Sequence, residues 1–337
     1  MKTNIGKKLS ENEICPEDLI AGQNEAYMND IKKLKKKIKF FVEVSCPSCS
    51  EKKNIFAFRK YGFSFRKCKK CETIYMSPRP SEKIMEEYYS DSENYKYWAK
   101  YIFPRSEKQR KNKIHKLWLN RIKKTILKYN CNHNSLLEIG SGFGTFGELV
   151  AADPFFDKYV GIEPTPELAA VCKEKNLKIV KKKIEDVNLE SRKKFDIVVS
   201  FEVIEHIFEP EIFLQKINSF LNLNGLLFLS CPNGKGFDIE VLKEKSQAID
   251  SEHVNLFNPY SISLLLQKVG FKVLNVSTPG RLDAEIVREV ALKGEYSLDD
   301  FLANILITNW KKYGWSFQKF LAENNLSSHM WTVAKKI

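Results

Sequence analysis

Residues Leu136-Leu-Glu-Ile-Gly-Ser-Gly-Phe-Gly-Thr-Phe-Gly147 decide the fold of this chain. Leu136, Leu137 and Ile139 form a short apolar run that predicts a buried strand. The run breaks at Gly140, and Phe146, Leu149 and Val150 then recur at helical spacing. Gly140, Gly142 and Gly144 occupy the turn between, where the lack of Cβ allows unusual φ/ψ and lets a ligand touch backbone. The N–H groups that open the helix favour a negatively charged ligand group. Alone, such a triplet is compatible with a tight strand–helix turn and nothing more. The rest of the chain has to choose.

Downstream, strand and helix patterns alternate, which predicts a parallel sheet covered on both faces. Tyr159–Glu163 reads as a second strand ending in an acid, 25 residues after Glu138. An acid at that strand tip is placed to accept hydrogen bonds from a ribose diol. Leu177–Val180, Phe195–Ser200, Gly225–Ser230 and Phe271–Ser277 supply further strands, and Met330–Ala334 supplies a last one. Helices are expected from Pro210 and from Asn258-Pro259, an Asn N-cap with Pro at N1. About fifty residues rich in aromatic and helix-forming types separate the last two strands.

Cys46-Pro-Ser-Cys49 and Cys68-Lys-Lys-Cys71 are two C-x2-C knuckles separated by 18 residues. That spacing predicts one structural zinc ion held by Cys46, Cys49, Cys68 and Cys71 in a closed tetrahedron. Phe56, Phe58, Tyr61, Phe63 and Phe65 alternate between the knuckles as a hairpin would, with Gly62 at its turn. Disulfides are the rival pairing and fit poorly with a chain lacking a secretion signal.

The remaining front half is basic. Residues 1–130 carry 31 Lys+Arg against 15 Asp+Glu, while residues 131–337 carry 24 against 27. The surplus fits a polyanionic partner or a solvated lysine-rich face. Residues 1–30 read as loop and short helix, and Ile31, Leu34 and Ile38 predict a short amphipathic helix over 31–40. Further helices are expected over 81–90 and 106–129, with a tyrosine-rich stretch between them that packs in the core or covers a ligand. No stretch approaches the ~18 apolar residues of a membrane span, and no signal-peptide core follows the lysine-rich start. A cytoplasmic protein is therefore expected. At about 150 residues per domain, 337 residues suggest two. The proposed boundaries are a basic segment 1–44, a zinc module 45–80, a helical linker or lid 81–130 and a main domain 131–337, interrupted by a helical insertion near 281–328.

Glu138-Ile-Gly-Ser-Gly-Phe-Gly144, Glu163 and Phe195-Asp-Ile-Val-Val-Ser200, in this order, resemble the class I S-adenosylmethionine-dependent methyltransferases. The resemblance covers residues 112–337. It implies an α/β, Rossmann-like seven-stranded methyltransferase sheet whose last strand is antiparallel, preceded here by a zinc-ribbon-like module. It implies that the Gly140–Gly144 turn, with Ser141, holds the methionine part of S-adenosyl-L-methionine, that Glu163 takes the ribose hydroxyls and that Ile184, Glu185 and their turn take the adenine. Glu138 and Phe201 complete the implied cofactor set. A nicotinamide dehydrogenase shares the first βαβ pattern, but that family writes G-x-G-x-x-G, whereas this turn is G-x-G-x-G after an acid.

For the acceptor, His206 follows the fourth strand and His253 lies in Asp250-Ser-Glu-His253, with Glu252 beside it. An imidazole near neutral pKa suits a general base, and a neighbouring carboxylate can orient it. A four-cysteine module ahead of this fold, with the Glu252-His253 pair, is similar to the sugar C-methyltransferases acting on nucleotide-linked sugars. That family places a tyrosine two residues before the Glu-His pair, where this chain has Asp250. The run from Glu252 to Ser261 also resembles methyltransferases of bacterial surface-polysaccharide pathways. The expected acceptor is therefore a small molecule or glycan: a sugar, nucleotide-sugar or glycan intermediate, methylated at oxygen or carbon. The alternative is an RNA-base methyltransferase gripping phosphates with its basic front half.

Overall fold

The computed structural model describes residue 6, residues 8–188 and residues 194–337. Its strands, in chain order, are β1 (Asn54–Lys60), β2 (Phe63–Cys68), β3 (Ile74–Met76), β4 (Ser135–Ile139), β5 (Lys158–Ile162), β6 (Ile179–Val180), β7 (Phe195–Phe201), β8 (Leu221–Pro232), β9 (Asn255–Leu256), β10 (Phe271–Ser277) and β11 (His329–Lys336). They form two sheets. The larger has the order β10-β11-β8-β7-β4-β5-β6, and the smaller the order β1-β2-β3-β9.

The larger sheet is the Rossmann-like methyltransferase arrangement expected from the sequence, with its last strands antiparallel. β4 lies at its centre, paired in parallel with β5 on one side and β7 on the other. Central parallel strands are covered on both faces, so their side chains are apolar without alternation. Ile197, Val198, Val199 and Leu226 through Leu229 are accordingly all buried. The strand order reverses beside β4, and ligands of open α/β sheets bind at such a crevice, outside the carboxyl ends of the strands.

By internal contacts the chain forms two compact units. One contains the chain through Ser106, Cys231–Ser261 and Ser277–Trp331; the other contains Glu107–Ser230, Ile262–Val276 and Thr332–Ile337. The first unit includes the cysteine knuckles and the helices Asp283–Leu292 and Trp310–Glu323. The second includes the glycine turn.

Three local expectations need correction. The short helix expected within residues 1–30 and the one expected over 31–40 are a single helix from Glu17 to Lys35. Its apolar face is sparse, only Ala26, Ile31 and Leu34 being buried, so helical periodicity is faint in the sequence. What orders it includes Glu17 and Asp18 in its first turn and Lys32, Lys33 and Lys35 in its last, which complement the helix dipole. The helix ends before Ile38, and Ile38–Phe40 is a separate 3-10 turn. The helix expected over 106–129 starts earlier, at Glu93, relaxes to π-turns at Trp98–Ile102 and Lys111–His115, and ends at Asn130 in the left-handed conformation that terminates helices.

The third correction concerns the aromatic hairpin. Its two-residue loop is Tyr61-Gly62, both at positive φ, as a tight hairpin requires. Phe58, Phe63 and Phe65 are buried as expected, but Phe56 is exposed. The register between β1 and β2 shifts between Phe56 and Phe58, and the one-residue bulge at Ala57 turns Phe56 to the other face. β9 was also unforeseen. Asn255 and Leu256 pair antiparallel with Tyr75 and Ile74 and complete the small sheet.

Candidate functional site

The glycine turn grows from the end of β4. Gly140, Gly142 and Gly144 have φ of 78°, 53° and 72°, a region costly for residues bearing a Cβ. Their surroundings differ. A Cβ on Gly140 would lie 2.5 Å from Val203 Cγ2, and one on Gly144 would lie 2.8 Å from Leu177 Cδ1. A Cβ on Gly142 would meet nothing within 4 Å. The outer two glycines are therefore required by packing, while the middle one opens onto free space that a ligand can enter.

Two acids hold the turn. Glu163, just beyond β5, accepts from the Gly142 N–H at 2.8 Å through Oε2 and from the Thr165 N–H at 2.9 Å through Oε1. Burial raises its pKa, and the two N–H groups oppose that rise by stabilising the carboxylate. Glu138 is buried on β4 and accepts a short hydrogen bond from the Tyr159 hydroxyl. Burial pushes Glu138 up to about 8, with the neighbouring Glu163 charge acting in the same direction. Ser141 Oγ lies 3.4 Å from the Tyr159 oxygen. In the sequence Tyr159 stands at the start of a strand, and no spacing marks it as the partner of Glu138.

The other expected cofactor residues lie in the same unit. Ile184–Asp186 is a 3-10 turn with Ile184 buried and Glu185 half-buried. Phe201 ends β7 between Trp118 and Phe146, with ring centroids 4.6 Å and 5.2 Å away. The next residue, Glu202, takes φ of 54° and its Oε1 accepts from Ser230 Oγ at 2.6 Å. That left-handed residue turns the chain out of β7 into the 3-10 turn carrying half-buried His206.

The first unit holds the remaining expected residues. Cys46 Sγ lies 3.4 Å from Cys71 Sγ, and Cys49 Sγ lies 3.6 Å from Cys68 Sγ. All four sulfurs fall within 4.8 Å of one another. A tetrahedron with Zn–S bonds of about 2.3 Å needs sulfurs roughly 3.8 Å apart, so the set fits that ion. The knuckles are braced by contacts that no sequence spacing marks. Asn258 Nδ2 donates to the Cys71 carbonyl at 2.9 Å, and Ser48 Oγ donates to the Ser261 carbonyl at 2.7 Å. Asn258 also accepts from the Tyr260 and Ser261 N–H groups, opening the helix as the Asn-Pro spacing predicts.

Glu252 is buried and accepts from the Tyr88 hydroxyl at 2.7 Å. Burial pushes its carboxyl up to about 7, assisted by the Asp250 charge. Ser251 N–H donates to the Tyr27 hydroxyl oxygen at 2.9 Å. Asp250 Oδ1 accepts from the backbone N–H groups of both Glu252 and His253, at 2.8 Å and 2.6 Å. His253 Nδ1 faces the Ala248 carbonyl at 2.9 Å, which makes Nδ1 the protonated nitrogen. Asp250 thus fixes the loop that carries Glu252 and His253. Tyr88 brings a phenol to Glu252 from a distant part of the sequence; it belonged to the tyrosine-rich stretch, but nothing in its spacing tied it to Glu252.

The profile of the family described as "Methyltransferase domain" matches residues 106–276, just over half of the chain. The chain belongs to this methyltransferase family. The match spans β4 through β10 except for the last residue, Ser277, and so contains the glycine turn, Glu163 and His206. The ubiquinone biosynthesis O-methyltransferase of Pelagibacter ubique is 31% identical over 102 residues, covering 29% of this chain and 42% of that protein. The chain therefore aligns with less than half the length of that relative. An uncharacterised protein of Methanocaldococcus jannaschii is 24% identical over 168 residues, covering 50% of this chain and 78% of that one. A solved S-adenosylmethionine-dependent methyltransferase from Clostridium acetobutylicum aligns with a TM-score of 0.47 and 10% identity, covering 71% of this chain and 98% of that one.

The raised pKa of Glu138 has a consequence for stability. The folded carboxyl holds its proton up to about pH 8, whereas an ordinary glutamate loses it near 4.5. Between those values the folded state binds more protons than the unfolded one, so this group's contribution to stability falls as pH rises. Thermal melts of Glu138→Gln should lose less stability than wild type between pH 5 and pH 8. Parallel losses in the two proteins would show that Glu138 titrates normally in the fold.

Proposed function

We propose that this methyltransferase uses S-adenosyl-L-methionine and methylates a sugar, nucleotide-sugar or glycan intermediate at oxygen or carbon. The observation that carries the cofactor reading is the open space over left-handed Gly142, bounded by the Glu163 carboxylate. Gly140, Ser141, Gly142 and Gly144 would hold the methionine part, with Glu138 setting the turn. Glu163 would accept from the ribose hydroxyls, and Ile184, Glu185 and Phe201 would border the adenine. The cofactor supplies an electrophilic methyl on a sulfonium, whose carbon–sulfur bond breaks as the acceptor–carbon bond forms. The chain's task is then alignment of the acceptor and removal of its proton.

For that proton the chain offers two candidate bases, His206 and His253. With Nδ1–H directed to the Ala248 carbonyl, His253 has its basic nitrogen at Nε2. Glu252, held near neutral pKa, is suited to exchange a proton with an acceptor hydroxyl, while the buried Tyr88 phenol, its pKa pushed up by burial and by the Glu252 charge, keeps its proton and donates to it. Support for a sugar acceptor comes from the Glu252-His253 pair behind a four-cysteine module. Cys46, Cys49, Cys68 and Cys71 would bind one structural Zn²⁺, whose closed shell leaves no position for water.

Three measurements test this reading. Calorimetry should show S-adenosyl-L-methionine binding to the wild type and none to Gly142→Arg; affinity retained in that variant would remove the cofactor from this turn. Elemental analysis should find about one zinc per chain, lost together with thermal stability in Cys68→Ser. A folded, stable, zinc-free wild type would overturn the metal site. Tritiated methyl from labelled cofactor, followed in extracts of a deletion strain supplied with the protein, should enter the nucleotide-sugar or glycan fraction. Label in total RNA instead would transfer the assignment to an RNA base.

A further inference from the structure

Six lysines fall between Lys32 and Lys39, at the end of the helix Glu17–Lys35 and in the following 3-10 turn. Ile31 and Leu34 of this stretch point inward and pack in the core with Phe58, Phe63 and Phe65. Lys33 pairs with Asp91 and Glu93, both at 3.0 Å, and Lys37 pairs with Glu87. Lys32, Lys35, Lys36 and Lys39 have no acidic partner among the described residues and are exposed.

Immediately beside these charges stand three apolar side chains that the core does not take. Ile38, Phe40 and Val42 are 42%, 61% and 39% exposed. Their position is fixed rather than loose. Phe41, between them, stacks on Phe63 with ring centroids 5.6 Å apart, and Val42 exchanges backbone hydrogen bonds of 2.9 Å with Arg79. The chain is pinned through Phe41 while Phe40 and Val42 remain outside.

We propose that the segment Lys32–Val42 is a contact for the surface of an anionic lipid bilayer. Ile38, Phe40 and Val42 enter the headgroup layer, and Lys32, Lys35, Lys36 and Lys39 face its acidic phosphates. Clusters of four to eight Lys/Arg draw a protein to acidic leaflets, and apolar side chains at the boundary hold it there. The residue types favour lipid over nucleic acid. The segment contains no arginine, the side chain best suited to planar, bidentate recognition, and two of its three exposed apolar residues are aliphatic and cannot stack on bases. Ammonium groups and aliphatic tips match a surface that is charged, fluid and without fixed geometry. This inference does not depend on which acceptor is methylated.

Co-sedimentation of the full chain with phosphatidylcholine vesicles, with and without phosphatidylglycerol, tests it. Binding should require phosphatidylglycerol and weaken at high salt. Lys36→Ala and Lys39→Ala should each weaken it about fivefold, and Phe40→Ser about tenfold. Lys124→Ala, at an exposed lysine of the helix Lys116–Tyr129, should bind as wild type does. All four positions are exposed, so melting temperatures should stay together. Three outcomes would overturn the proposal: no sedimentation with acidic vesicles, equal weakening by Lys124→Ala, or binding unchanged by Phe40→Ser and displaced by single-stranded RNA. The last would identify a general polyanion surface.

Discussion

The bond from the Gly142 N–H to the Glu163 carboxylate joins the turn after β4 to the tip of β5, and the carboxyl end of the sheet is arranged around it. A buried carboxylate is costly unless it is hydrogen-bonded, and Glu163 has an N–H group on each oxygen. That requirement fixes the height of the turn above the sheet. The Gly140 and Ser141 N–H groups add bonds to the Ile162 carbonyl from the same side. Once the turn is fixed there, its outer glycines pack against Val203 and Leu177, and only the middle one faces space. A rigid, open, hydrogen-bonding edge is what alignment of a cofactor requires.

The second unit was largely legible because parallel strands buried on both faces leave long apolar runs, as Phe195-Asp-Ile-Val-Val-Ser200 does. The glycines were legible because backbone geometry at that turn restricts residue type, whereas the bond from Glu163 to the Gly142 N–H carries no mark in the sequence. The clustering of the four cysteines was legible because two C-x2-C knuckles on neighbouring turns bring four thiols together. What escaped notice was set by tertiary contact. Phe56 is exposed because of a bulge, which moves one residue without marking the composition. Tyr159 reaches Glu138, and Tyr88 reaches Glu252, across separations that local pattern does not encode. The helix Glu17–Lys35 was obscured because most of its surface is solvated and few apolar residues carry the period.

Asp250 sets the conformation of a loop with its own side chain. A carboxylate there accepts two consecutive backbone N–H groups and shapes the loop that carries Glu252 and His253. A tyrosine could not make that turn. Tyr88 occupies the neighbourhood of Glu252 instead, so the loop gains a fixed conformation and keeps a phenol on its acid.

The cysteine knuckles are not a self-sufficient module. β9 supplies the edge partner of β3, Asn258 supports the Cys71 carbonyl across 187 residues, and the Ser261 carbonyl receives Ser48 across 213. Such contacts have high sequence separation, and closing them is slow compared with forming a hairpin. On a ribosome making about 5–20 residues per second, the knuckles emerge roughly ten seconds or more before residues 255–261. During that interval four thiols stand without their final scaffold. The cell's handling of these thiols over that interval becomes part of how the protein is built.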